Sequence, residues 1–376
     1  MRRIVPVLSL SFVAALSACG DAPEPVAPDG SIAALSERVT NRYVVVFTDE
    51  VRDVRGVAAE LARGNGFGLQ RIREHAARGF TAVIPQGKVE AVRSDPRVRA
   101  VIPDRVVSLP RPIEVRARPG GGGGGGGETP SWGVSFVGGS APAPSGRKVY
   151  VIDTGVDFDH PDLNVDPSCG DHFTGRNADD GNGHGTHVAG IIGALDNDIG
   201  VLGIAAGARI CPVRVLGNSG SGSYADVIAG VDFVAGHGAN GDVANMSLGG
   251  PGDGGLDGAV LDAAQEGIVF VLAAGNEGDN VSGHSPARAN GPNVLTVSAI
   301  GQNRCLTSWS NYGAGVDHAA PGSGIISTWK GGGTKTLSGT SMAAPHVAGL
   351  ALFGNVGSDG TACGDRGAPA DPLAHR

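Results

Sequence analysis

Two hydrophobic patterns alternate along this chain: short unbroken apolar runs, and longer segments whose apolar residues recur every three or four positions. In residues 38–109 the runs are "RYVVVF" at Arg42–Phe47, "GFTAVIP" at Gly79–Pro85 and "VRAVIPD" at Val98–Asp104. Runs of this length, rich in β-branched residues, predict strands, and the helical spacing around Val57–Arg63 predicts a helix between the first two. With a second helix before Val98, the order strand, helix, strand, helix, strand makes a small α+β domain.

From Ser131 the alternation repeats on a larger scale. "KVYVIDTG", "RICPVRVLG", "VANMSL" and "IVFVLAAGN" predict buried strands, while "GHGTHVAGIIG", the amphipathic "YADVIAGVDFVAGHG" and "LDGAVLDAAQEG" predict helices. Strands and helices taken in turn predict an α/β fold over residues 131–354, with a mainly parallel central sheet and helices on both faces. In such sheets functional groups collect at the carboxyl ends of the strands. Beyond Phe353 the residues "GNVGSDGTACGDRGAPADPLAHR" carry no helical period, so 355–376 read as an atypical tail.

The N-terminus is a targeting segment. Arg2 and Arg3 precede an apolar run from Ile4 to Leu16 that ends in "LSAC" at Cys19, so residues 1–18 read as a signal peptide exporting the chain from a bacterial cell. The pattern is similar to a lipoprotein signal, in which cleavage before Cys19 leaves its thiol to carry lipid; plain secretion after cleavage near Ala18 is the alternative. The run is too short to stay as a membrane-spanning helix. Residues 20–37, rich in Ala, Pro and Asp, read as a flexible tether, and 110–130, with glycine unbroken from Gly120 to Gly127, as a linker open to proteolysis. An exported chain meets an oxidising compartment, so Cys169, Cys211, Cys305 and Cys363 are expected to form two disulfides, with three connectivities open.

Composition and charge sharpen this. The 64 glycines and 5% aromatics call for many tight turns and close backbone approaches. Charge changes sign across the linker: residues 1–127 hold 18 Lys+Arg against 13 Asp+Glu and residues 128–376 hold 11 against 24, so +5 faces −13 within the total of −8. Opposite signs steer the small domain onto the large one. An acidic large domain excludes a nucleic-acid surface.

Three polar residues stand where such a fold gathers chemistry. Asp153 ends the first strand in "VIDTGVD", His184 opens a glycine-flanked helix in "DGNGHGTHVAG", and Ser341 opens another in "LSGTSMAAPHVAG". A serine hydroxyl is too weak an acid to attack unaided; a neutral imidazole must take its proton, and a buried carboxylate must hold that imidazole in the right tautomer. Each residue alone has a structural use, as a turn former, a polar helix start or an N-cap. Together they suit nucleophilic acyl transfer. Gly339, Thr340 and Ser341 bring the chain sharply to a helix N-terminus whose unpaired N–H groups can face an oxyanion, and Pro345 is expected in about the first turn, where a missing N–H costs little.

These segments, with "ADDGNGHGTHVAG" and "SWSNYG", closely resemble the subtilisin-like serine proteases, peptidase family S8, and within them the proteinase K-like branch, from about Ser131 to Leu352. The resemblance implies a serine endopeptidase acting on proteins or peptides, with Asp153 as orienting aspartate, His184 as general base, Ser341 as nucleophile and Asn276, in "VLAAGNEG", as the side-chain oxyanion donor. It implies that Gly220, Ser221 and Gly222 on one side, and Ser247, Leu248 and Gly249 on the other, sandwich an extended substrate. Ala273, Ala274 and Gly275 would wall the pocket for the residue before the cut. A broad, mainly apolar preference is expected, with Glu277 near that pocket open to a basic side chain.

The resemblance also implies structural calcium, held by the carbonyls of Leu195, Ile199 and Val201, the Asn197 amide and the Asp162 carboxylate, a hard oxygen set. The N-terminal ligand that the family adds is not identifiable in the sequence; a weaker second site would use Asp317 with the Pro292 and Val294 carbonyls. Residues 38–109 resemble the family's inhibitor-type propeptide, which assists folding and blocks the cleft with its C-terminal strand. Self-cleavage after it would release a monomeric catalytic domain, the membrane entering only through lipid on Cys19. The resemblance fails at the C-terminus, where relatives continue through further helices, so a truncated end or a substitute Cys363 tether is expected. A peptide-binding pseudoenzyme and a peptide-bond acyl transferase are the other classes open to this fold.

Overall fold

The computed structural model describes residue 39 and residues 41–110 and 127–376; the signal-like segment, Cys19, the tether and linker residues 111–126 lie outside the described residues. Among the described residues, β1 (Arg42–Phe47), α1 (Val54–Asn65), β2 (Leu69–Arg73), β3 (Gly79–Val83), α2 (Gln86–Arg93) and β4 (Val98–Pro103) form an antiparallel sheet in the order β2-β3-β1-β4. The start of α1 is fixed by Asp53, whose carboxylate accepts from Gly56 N at 2.8 Å. Val45, Phe47, Ala58, Leu61, Phe80 and Val92 close the core between sheet and helices. β2, which the sequence reading lacked, is "LQRIR": one buried residue among polar ones leaves no apolar run to detect. A short β5 (Val106–Ser108) follows β4.

The larger part runs β6 (Lys148–Asp153), β7 (Asp171–His172), α3 (His184–Gly193), β8 (Arg209–Arg214), β9 (Ser221–Ser223), α4 (Tyr224–His237), β10 (Val243–Met246), α5 (Gly254–Ala264), β11 (Val269–Ala273), β12 (Val294–Ile300), β13 (His318–Pro321), β14 (Ile325–Trp329), β15 (Gly333–Leu337), α6 (Thr340–Ala351), β16 (Gly357–Thr361) and β17 (Pro372–His375). Its main sheet is ordered β16-β17-β13-β12-β11-β10-β6-β8-β7 and is parallel at every pairing except the β16–β17 edge. Alternation along β6 shows why its strands read as unbroken apolar runs. Val149 and Val151 pack with α3 and α6 on one face, while Tyr150 and Ile152 pack with α4 and α5 on the other. A strand covered on both faces has no polar side to show.

The tail carries two strands that its sequence does not announce. It has no helix, but β17 extends the sheet beside β13 through Ala319 and Leu373, and β16 returns antiparallel to it. Cys305–Cys363 pins this edge, and Cys169–Cys211 ties the loop before β7 to β8, which settles the connectivity left open above. Among the described residues no helix is long and apolar enough to cross a membrane.

The small sheet rests on α4 and α5 through acidic side chains. Asp232 Oδ1 accepts from His75 N and Ala76 N at 2.7 and 2.8 Å, and Asp262 Oδ2 from Ala77 N at 3.0 Å. Arg105 pairs with Asp253 at 2.9 Å, and Arg42 reaches Asp104, Ser223 and Asp226. The opposite charges noted in the sequence thus meet at this interface.

Candidate active site

Asp153, wholly buried at the carboxyl end of β6, holds the imidazole at the start of α3. Its two carboxylate oxygens lie 2.9 and 3.0 Å from His184 Nδ1, and Thr154 N donates to Oδ1 at 2.7 Å. A carboxylate at Nδ1 fixes the tautomer with the proton on that nitrogen, leaving Nε2 as the basic atom. His187, one turn further on, is a different case: Nε2 donates to the Lys335 carbonyl at 2.9 Å, and burial pushes its pKa down to about 3, so it stays neutral.

Ser341 is the second residue of α6, 3% exposed. Pro345 is therefore the sixth residue of the helix, in its second turn rather than its first. The correction has a physical consequence, because an N–H at position 345 would bond the carbonyl four residues back, at Ser341. Ser247 supplies the missing donor: its Oγ bonds Ser341 O at 3.0 Å and is itself held by Asn245 Nδ2 at 2.9 Å. The Ser341 Oγ donates to the Ser247 carbonyl at 3.2 Å. Ser247, expected only to flank substrate, also fixes the helix that carries Ser341.

Asn276 follows β11 and is tied to the same turn, Oδ1 accepting from Thr340 N and Thr340 Oγ1, both at 2.9 Å. A Cβ at Gly339 would sit 3.0 Å from Asn276 Nδ2, so the carboxamide faces the turn before Ser341. Gly275, at φ +105°, lets the chain leave the strand here, and a Cβ would run into Asn311. Ala273 and Ala274 are buried beside it. Glu277 is committed elsewhere: Asn311 Nδ2 donates to its Oε2 at 2.7 Å, and His284 lies 3.8 Å away.

His184, Ser341 and Asn276 line one cavity of about 460 Å³, with Asn182, Gly220, Trp329 and Leu337. Ser108, Leu109 and Pro110 line it too. β5 lies in this cleft as an added antiparallel strand: Val106, Val107 and Ser108 pair with Ser223, Gly222 and Ser221 on one side, and Ser108 bridges Gly249 on the other. Leu109 N donates to Gly220 O at 2.9 Å. Both segments singled out for substrate, 220–222 and 247–249, thus border a peptide strand, with Leu248 buried behind its segment.

Asp180 was not found by sequence reasoning. Its Oδ1 accepts from Thr154 Oγ1, Asn182 N and Gly183 N at 2.9, 2.8 and 2.9 Å, and Oδ2 from Thr186 N and Oγ1 at 3.0 and 2.7 Å. It couples the residue after Asp153 to both sides of His184. Its position four residues before His184 was the available signal.

The loop expected to bind calcium does not line the cleft. Asp162 Oδ2 accepts from Val201 N at 2.9 Å, and Leu195 N donates to the Asp162 carbonyl at 3.1 Å. Asp162 Oδ1 is buried without a partner, and burial raises the pKa of the carboxyl, the mark of an acceptor suited to a cation. Asn197 Oδ1 takes Ile199 N at 3.1 Å. Glu128, missed in the sequence, reaches the same loop, its Oε1 accepting from Asn197 N at 3.2 Å. Among the described residues no group of three or more His, Cys, Asp or Glu side chains is arranged for a metal, so a site here would be built mainly from carbonyls. Asp317 Oδ2 accepts from Thr296 N, within β12, at 2.8 Å.

A family model described as Subtilase family matches residues 145–353. The chain is 41% identical over 296 residues to alkaline serine exoprotease A of Vibrio alginolyticus, covering 76% of this chain and 53% of that one. It is 35% identical over 347 residues to alkaline serine protease ver112 of Corniculantispora psalliotae, covering 88% and 85%. It thus spans about half of the first relative and most of the second. The crystal structure of a cold adapted subtilisin-like serine proteinase matches with 40% identity and a TM-score of 0.57, over 63% of this chain and 90% of that one.

Proposed function

Because the chain belongs to the subtilase family, we propose that it is an exported serine endopeptidase made as a precursor that cuts itself. The observation that carries this reading is the Asp153–His184 pair, 2.9 Å apart, in one cleft with Ser341 and with a strand of the same chain lying across it.

In the proposed reaction His184 takes the Ser341 proton through Nε2 while Asp153 holds the ring and offsets its positive charge. The Ser341 oxygen adds to the peptide carbonyl. The resulting oxyanion is met by N–H groups at the start of α6 and by the Asn276 side chain. His184 then returns the proton to the departing amine, and water, activated by the same imidazole, releases the acyl group. Substrate binds as β5 does, as a strand between 220–222 and 247–249. Proteins and peptides of broad, mainly apolar preference are the expected substrates, and the enzyme acts as a monomer.

Asp162, Asn197 and the carbonyls of Leu195, Ile199 and Val201 would hold a structural calcium ion. Its chemistry there is to neutralise a buried carboxylate and brace the loop. The small domain is read as an intramolecular inhibitor and folding aid, separated from the catalytic domain by cleavage between Pro110 and Ser131. Export rests on the signal-like N-terminus, with Cys19 as the lipid-bearing residue, and two disulfides accord with an oxidising compartment.

N-terminal sequencing of the mature protein beside its Ser341→Ala variant tests the whole reading. The native chain is expected to cut a general peptide mixture, with product masses of simple hydrolysis, and to start near Ser131; Ser341→Ala is expected to remain uncut. Normal processing of Ser341→Ala where no other protease is present would overturn self-cleavage.

A further inference from the structure

The strand in the cleft ends at a residue that cannot complete its pairing. Ser108 and Gly249 exchange both backbone hydrogen bonds, Ser108 N to Gly249 O at 3.4 Å and Gly249 N to Ser108 O at 3.2 Å. Hydrogen-bonded pairs of this kind recur at every second residue of an antiparallel ladder. The next one sets Pro110 opposite Ser247, and proline has no N–H to give the Ser247 carbonyl. The register is held from the other side as well, by Leu109 N on Gly220 O at 2.9 Å.

What occupies the Ser247 carbonyl instead is the Ser341 hydroxyl, at 3.2 Å. A serine hydroxyl has one proton. Here it rests on a carbonyl too weakly basic to remove it. A strand whose residue at this position carried an N–H would compete for that carbonyl and free the hydroxyl to turn to His184. Pro110 leaves it where it is.

We propose that Pro110 decides where this chain first cuts itself: it protects the bond that follows it in the cleft, so that the cleft-bound strand persists as an inhibitor and the first cut falls further along the linker. The inference rests on the self-processing reading given above. Cleavage in the observed register would pass the Ser341 proton to His184, add Ser341 Oγ to the Pro110 carbonyl carbon and break its C–N bond to Arg111. His184 would hand the proton to the departing Arg111 amine, and water would release Pro110 as a carboxylate. It is the first of these steps, loss of the Ser341 proton to His184, that Pro110 disfavours.

The test compares the full-length native chain with Pro110→Ala, mapping both ends of every fragment over time by N-terminal sequencing and intact mass. The native chain is expected to give large-domain N-termini beyond Arg111 and no small-domain fragment ending at Pro110. Pro110→Ala is expected to gain a small domain ending at position 110 and a large fragment starting at Arg111, the products absent from the native chain. A native small domain ending at Pro110, or an unchanged cut map in Pro110→Ala, would overturn the proposal. Ser341→Ala, run alongside, separates the two readings. Cutting that persists in it removes self-processing altogether, whereas cutting that stops in it but falls at Pro110–Arg111 in the native chain removes only the role of Pro110.

Discussion

Ser247 Oγ takes the place of a backbone N–H for the Ser341 carbonyl, 3.0 Å away, because Pro345 cannot supply one. Ser247→Ala is expected to leave that buried carbonyl unpaired and to cost about 1–3 kcal/mol in denaturant unfolding. Adding Pro345→Ala to the same chain supplies the missing N–H and should recover much of the loss. A double variant no more stable than the single one would show that the Ser247 bond is not a replacement for the helical one.

Hydrolysis is expected to depend on Asp153, His184 and Ser341 as one unit. Loss of any one should lower kcat by several powers of ten, and pairs of losses should fall far short of adding, as in subtilisin itself. Steady-state kinetics on single and double alanine variants decide this; near-normal turnover by His184→Ala would reject the mechanism.

Asp180→Asn tests how His184 is held. Its five donors all point at the carboxylate, so an amide NH₂ would meet at least one of them head-on. The expected result is a fall in kcat of about 10²-fold with KM little changed, since the ring is displaced while the peptide-binding segments are not. A proportional change in the fraction folded, with normal kcat for what remains, would mark Asp180 as merely structural.

Calcium removal should act on stability first. Strong chelator is expected to lower Tm before it changes turnover of the folded protein, and Asp162→Asn should abolish the chelator effect. An unchanged Tm in chelator would take calcium out of this account.

Acid should destabilise the fold through two buried histidines. Burial holds His187 down to about 3 and His346 to about 4, against about 6.5 in an unfolded chain. The unfolded chain therefore binds protons that the folded one refuses: stability is full above about pH 6.5 and falls as pH drops toward these values. His346 bonds Met342 O at 2.7 Å through Nδ1, and its Nε2 has no partner among the described residues, so His346→Leu should flatten part of the acid limb in pH-dependent thermal melts.

The strands ending at Asp153 and before Asn276, and the helices starting at or beside His184 and Ser341, are legible in the sequence because both faces of their sheet are covered, which writes each strand as a continuous apolar run. Features made by hydrogen-bond register are not. Pro345 is misplaced by a turn until the first residue of α6 is known, and its link to Ser247 spans 98 positions that no spacing connects. Asp180 and Glu128 carry no apolar context and act through donors that only the folded loops bring near. The tail strands stay hidden for another reason: "GSDGT" is almost wholly exposed and depends on Cys305–Cys363 and on pairing with β17 for its place.

Glu128 and Thr129 are already fastened to the calcium-type loop, through Asn197 N and through Thr129 N on Gly200 O at 2.9 Å. A break in residues 111–126 would therefore loosen neither side, since the strand before it is seated in the cleft and the chain after it is seated on that loop. Cutting would be a silent event. The audible one would be the departure of the small domain, so the delay between gel bands appearing and activity rising would measure how firmly Asp232 and Asp262 hold on, not how fast Ser341 reacts.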